Sequence, residues 1–194
     1  MDLYLIRHAE TDANRKGLFL GRTESPLLPE SRKSLEELRC KFEAISLDKI
    51  FSSPRKRAID TAKVLNKEIE TLKALEEMDF GLFEGLTYTQ IEERYPKETK
   101  KMMSQAGTYT FPGGESEEGF SRRVKAGLEE VVYISQQKGY EAIALVSHAG
   151  VLRLILSQLL AGDDHLRWNF RVDNAKVSKL SCRDGFCVLE YLNG

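Results

Sequence analysis

Short, uninterrupted apolar runs alternate along this chain with longer amphipathic stretches. Leu3, Tyr4, Leu5 and Ile6 have the bulk and β-propensity of a strand buried on both faces. The run breaks directly into Arg7, His8, Ala9, Glu10 and Thr11, a cation and an imidazole where turn residues would be ordinary. The same grammar returns at residues 142–146, an apolar strand that ends in Ser147, His148, Ala149 and Gly150 before an apolar helix over 151–160. Between the two, residues 12–30 read as a polar loop, and residues 31–45 carry helical spacing through Leu35, Leu38 and Phe42. A short second strand is predicted at 49–52, with Pro54 near the start of a helix through Ala58, Ile59, Ala62, Val64 and Leu65.

Further on, the pattern predicts a strand over 71–75, then two short helices, about 87–95 and 97–105, set among glycines and prolines as a cap over the site. The longest helix is predicted over 116–137, with Ser116 as its N-cap and Glu117 and Glu118 in its first turn. From 166 to 191, polar residues alternate with β-favouring ones, which predicts strands joined by an Asp184-Gly185 turn. The sum is an α/β fold. Open α/β sheets bind ligands at the carboxyl ends of their strands, and Arg7, His8 and His148 stand at such ends.

At 194 residues the chain suffices for one domain with a sizeable core. With 29 basic and 30 acidic side chains and a net charge of −1, the balance argues against nucleic-acid or membrane partners. Any anion site must therefore be local. Neither a leader segment nor a run long enough to cross a bilayer is seen, so a cytoplasmic location is expected. Three cysteines, Cys40, Cys182 and Cys187, do not make a disulfide framework. Cys182 and Cys187 flank the predicted hairpin turn and can face each other, but the expectation for a reducing compartment is that they stay thiols.

Taken alone, a histidine at a strand end is more often a satisfied structural residue than a reactive one. Two of them on parallel neighbouring strands would lie about 4.8 Å apart in the hydrogen-bonding direction and could face one ligand. Arg7 and Arg57 add planar bidentate donors suited to phosphate oxygens. Arg55 and Lys56 read as a solvated basic turn, whereas Arg57 opens an otherwise apolar helix whose amino end favours anions. The histidines lack carboxylate or cysteine partners at ligand spacing, and the arginines would repel a cation, so no metal is expected.

Four segments jointly carry a resemblance: Leu-Ile-Arg-His-Ala-Glu-Thr at 5–11, Ser-Ser-Pro-Arg-Lys-Arg-Ala at 52–58, Leu-Glu-Glu-Met-Asp-Phe-Gly at 75–81 and Val-Ser-His-Ala-Gly at 146–150. In this order they resemble the histidine phosphatase, or phosphoglycerate-mutase-like, superfamily. The resemblance implies a three-layer α/β fold: a mostly parallel central sheet, helices on both faces and a small helical cap. It implies a single domain over 1–194, with the cap inserted at about 82–114. The implied chemistry is hydrolysis of a small phosphate ester through a phosphohistidine, without metal or other cofactor. His8 would be the nucleophile, with Arg7, Arg57 and His148 around the phosphoryl oxygens and Glu77 as proton donor. Asn14 and the Ala149 amide would be further phosphate contacts, and Glu24, Gly114 and Glu115 substrate-side residues.

The segment between acid and second histidine is shorter than in the mutases and, with residues 80–88 and 111–116, looks like the α-ribazole phosphatase branch of cobalamin assembly. Arg123, Arg153 and Asn174 also fit that pattern. A cofactor-dependent phosphoglycerate mutase and a non-catalytic phosphate-binding module are the alternatives, in a monomer or a homodimer. The chain departs from the family's pattern at Ala9, Ser31 and Ala149, which replace glycines, at Glu24, which replaces Asp, and at Phe83, which replaces Trp. None of these removes a reactive group.

Overall fold

The architecture follows from the first strand, β1 (Asp2–Arg7), in a computed structural model that describes residues 1–194. Successive side chains of a strand point to opposite faces. Leu3 and Leu5 enter one hydrophobic cluster and Tyr4 and Ile6 another, so both faces of the sheet are covered. The elements that follow are α1 (Asp12–Arg15), α2 (Arg32–Phe42), β2 (Lys49–Ser52), α3 (Lys56–Ala62) and β3 (Ile69–Thr71). After these come α4 (Tyr88–Arg94), α5 (Pro96–Ser104), α6 (Glu117–Lys138), β4 (Ala142–Ser147), α7 (Ala149–Ala161), β5 (Val177–Arg183) and β6 (Phe186–Tyr191).

The six strands lie in the order β3-β2-β4-β1-β5-β6. The run from β3 to β1 is parallel, and β5 and β6 are added antiparallel. Helices α2 and α3 cover one face through Leu38, Phe42, Ala58 and Ala62. Helices α6 and α7 cover the other through Phe120, Val124, Leu128, Val151, Leu152 and Ile155. The result is a three-layer α/β molecule.

Helix α6 is signalled at both ends. The Ser116 hydroxyl accepts from the Gly119 N–H, the first turn is acidic, and Gly139 closes the helix at φ +66°. The two short helices lie where the breakers predicted them, Thr87 capping α4 and Pro96 opening α5. They join the body through Phe83, Ile91, Tyr109 and Phe111, all buried. At Gly81 (φ +52°) a side chain would lie 2.2 Å from the Pro112 carbonyl and 2.6 Å from the Gly114 amide, so glycine alone lets these two segments meet.

Several expectations need correcting. The strand predicted over 71–75 ends at Thr71, and residues 73–75 are a single 3-10 turn. The polar loop over 12–30 contains α1, held by a capping box between Thr11 and Asn14. Residues 166–176 form no strand; one 3-10 turn at 167–169 interrupts them. Cys182 and Cys187 are bonded rather than reduced. They lie directly opposite in the β5–β6 register with Cα atoms 4.1 Å apart, the close cross-strand pairing that brings two Cβ atoms together. No helix is long and apolar enough to cross a membrane.

Candidate active site

Parallel pairing of β1 with β4 sets Arg7 opposite Ser147, so the next residue of each strand, His8 and His148, emerges beside the other. The His8 N–H donates to the Ser147 carbonyl at 2.9 Å, and the imidazole centroids are 5.1 Å apart at 62°. Both rings are almost wholly buried. His8 Nδ1 lies 2.8 Å from the carbonyl of Ala9. A carbonyl only accepts, so Nδ1 carries the proton and Nε2 the lone pair. Burial, reinforced by Arg57 and Arg7, holds the His8 imidazole well below its ordinary range, and it is neutral at pH 7.

His148 is held neutral by burial and by the nearby Arg57. Its Nδ1 accepts from Arg57 Nε–H at 3.3 Å, and its Nε2–H donates to Ser53 Oγ at 2.8 Å. The terminal nitrogens of Arg57 donate to the carbonyls of Gly21 (2.7 Å) and Thr23 (3.0 Å), which leaves each with one further N–H. Arg7 is less committed. Its Nη1 donates to Val172 O at 2.9 Å, while Nε is buried with no hydrogen-bond partner. A buried donor without a partner costs about 1–3 kcal/mol, so this N–H is a strong draw for an anion.

A cavity of about 950 Å³ lies beside these groups. Arg7, His8, Asn14, Glu77 and Ala149 line it, whereas Arg57 and His148 do not. Glu77 stands across it, Oε2 accepting from Gly150 N–H and Oε1 from Met78 N–H, each at 3.0 Å. A side chain at Gly150 would lie 2.4 Å from Oε1, so the carboxyl sits directly against the first turn of α7. Its neighbour Glu76 faces away into an ion pair with Arg55. Arg55 is therefore no solvated turn residue, although Lys56 remains exposed. Asn14 Oδ1 accepts from Thr11 and from Asn174 Nδ2, so Nδ2 is the end left to donate.

Three substrate-side expectations are not met by the cavity walls. Glu24 lies at the start of α3, beside Arg55 and the Lys56 N–H. Gly114 packs against the Asp79 carbonyl, and Glu115 is gripped by Arg123. The lining instead combines Phe19, Leu20, Phe80, Met102, Phe111 and Phe120 with the charged Glu10, Glu117, Arg153 and Arg167. Trp168 stands at its rim, 69% exposed, its ring 5.6 Å from the Arg153 guanidinium and 5.2 Å from that of Arg167. Sequence reasoning missed Trp168, Arg167 and Met102. The one available signal was a lone tryptophan in a polar stretch. The third histidine, His165, lies on the surface against Asp163.

The model of the histidine phosphatase superfamily (branch 1) matches residues 3–194. Phosphoserine phosphatase 1 of Hydrogenobacter thermophilus is 30% identical over 98% of this chain and 91% of its own length. The α-ribazole phosphatase of Shigella flexneri superposes with a TM-score of 0.89 at 29% identity, covering 100% of this chain and 96% of that one. A phosphoglycerate mutase of Bacillus anthracis shares the fold, with a TM-score of 0.81 at 22% identity over 100% of this chain and 92% of its own.

Proposed function

This chain belongs to the histidine phosphatase superfamily (branch 1) and is a phosphoric monoester hydrolase; on that premise we propose that His8 is its nucleophile and Glu77 its proton donor. The supporting observation is a neutral, buried imidazole with its lone pair on Nε2, beside an unpaired Arg7 donor and across one cavity from a carboxyl group. Nε2 attacks phosphorus in line, and the bond from phosphorus to the ester oxygen breaks. The Glu77 proton goes to the departing alkoxide. The positive charge left on the ring is steadied by the Nδ1–H bond to Ala9 O. Water then attacks the phosphohistidine, Glu77 takes its proton, and His8 returns neutral.

Arg7, the free N–H groups of Arg57, Asn14 Nδ2 and the amide of Ala149 hold the phosphoryl oxygens as charge spreads in the transition state. His148 keeps Arg57 and His8 in register. Residues of about 82–114 act as a cap over this centre. The aromatic side chains of the lining, with Trp168 at the rim, favour an ester whose alcohol carries a flat apolar body, as α-ribazole 5′-phosphate does. Turnover of an aryl phosphate in EDTA, with an alkali-stable, acid-labile phosphoenzyme that vanishes in His8→Ala, is the expected result. An equally active, folded His8→Ala variant overturns the assignment. A ranking of kcat/KM for α-ribazole phosphate, phosphoserine and phosphoglycerates tests the substrate.

A further inference from the structure

Glu77 reaches the cavity on a segment with almost no regular structure. Residues 73–75 make one 3-10 turn, Glu76 is extended (φ −67°, ψ 149°), and Glu77 follows. The last carbonyls of such a turn have no partners within it. Here side chains from other elements take all of them. Arg123, on α6, donates from Nη1 to the carbonyls of Ala74 and Glu76 at 2.9 Å each, and Nη2 approaches the Glu77 carbonyl at 3.5 Å. Its Nε and Nη2 also grip the two carboxylate oxygens of Glu115 at 2.9 and 2.8 Å. Leu75 O, between these carbonyls, accepts from the Ser147 hydroxyl at 2.7 Å, one residue before His148.

All five N–H groups of one guanidinium are thus committed, and the Phe120 ring lies 5.1 Å from it. A planar fork held by a bidentate carboxylate has little freedom, and a lysine ammonium cannot reproduce it. The contacts of the Glu77 carboxylate with Gly150 and Met78 fix its tip but not the backbone it grows from. Resting on the assignment of Glu77 as proton donor, we propose that Arg123 is a positioning residue for that acid. It holds the backbone of residues 74–77 so that the carboxyl proton stands at the departing ester oxygen.

A proton donor matters in proportion to how poorly the alcohol departs unaided. Displacing the acid therefore slows alkyl phosphates and largely spares p-nitrophenyl phosphate, whereas general damage to the fold slows both alike. The readout is kcat/KM, which covers phosphoryl transfer to His8 but not hydrolysis of the phosphoenzyme. Glu77→Gln is expected to lose about a hundredfold on an alkyl phosphate and far less on p-nitrophenyl phosphate. Arg123→Ala is expected to lose about tenfold on the alkyl ester and less than about threefold on the aryl one. The double variant should be no worse on the alkyl ester than Glu77→Gln alone, and guanidinium ion should partly restore Arg123→Ala.

Equal losses on both esters in Arg123→Ala, or none, overturn the proposal while leaving Glu77 in place. Equal losses in Glu77→Gln overturn the acid assignment and the proposal with it. Should Arg123→Ala not fold, Glu115→Gln keeps the guanidinium and frees its other side, and the alkyl-selective loss is then about threefold. A loss there that does not distinguish the esters overturns the proposal as well.

Discussion

Burial at His8 and His148 ties the proposed nucleophile and its neighbour to acid stability. Both imidazoles are held well below their ordinary range, chiefly by desolvation and then by Arg57. Above about pH 6.5 folded and unfolded chains are both neutral at these positions, and nothing is lost. As pH falls below that, the unfolded chain takes up protons that the folded one refuses, so stability falls by up to about 1.4 kcal/mol per pH unit for each histidine. Urea midpoints from pH 7 to 5 should therefore decline, and the decline should flatten in His148→Asn. The same shift keeps His8, the proposed nucleophile, neutral through the usual imidazole range, so its ring resonances in NMR should not titrate between about pH 7 and 6. A His8 ring that titrates near pH 6.5 would contradict a neutral, desolvated nucleophile. The Arg7-His8 pair was legible because charge at the end of a buried strand is conspicuous. Trp168 was not, because its place at the rim is set by the irregular segment 166–176, which has no periodicity to read.

Helix α7 begins at the proposed reacting centre, and its first glycine leaves room for Glu77. With a side chain at position 150 the nearest obstacle is the flexible end of Glu77 rather than backbone. Gly150→Ala should leave the melting temperature unchanged or raised, since alanine favours a helix by about 1 kcal/mol, and should still lose activity by about tenfold or more as the carboxyl is displaced. Circular dichroism and kcat/KM on one preparation separate the two effects. Elements with caps and long periodicity, α6 above all, could be placed from sequence to within a residue or two. The short ones could not. Strand β3 has three residues, none of them buried, and α1 has four and depends on the Thr11–Asn14 capping box, whose asparagine at N3 departs from the usual acid or glutamine. Which charges were solvated was equally hidden, since Arg55 finds Glu76 twenty-one positions away.

Across the whole molecule, the Cys182–Cys187 bond and the proposed phosphatase centre lie at opposite ends of the strands. β5 runs antiparallel to β1, placing Ser181 beside Asp2 and Val177 beside Ile6. The bond closes a loop that the Asp184-Gly185 turn already closes, so Cys182→Ser with Cys187→Ser should cost about 2 kcal/mol or less. kcat/KM should not change, and thermal melts with and without reductant measure the first effect. Sequence showed that the two cysteines could meet but not that they would bond, because the choice between thiol and disulfide is one of redox setting as well as geometry. The order of strands has a further consequence, for time rather than place. β1 sits at the middle of the sheet, yet its two neighbours, β4 and β5, come from the far end of the chain, pairing Asp2 with Ala142 and Ser181. Contacts so distant in sequence form slowly. As the chain is synthesised, the strand that carries Arg7 and His8 emerges before β4 and β5 and waits for them, an apolar ribbon with both edges unpaired. The proposed nucleophile and its arginine are thus made well before the strands that hold them in place.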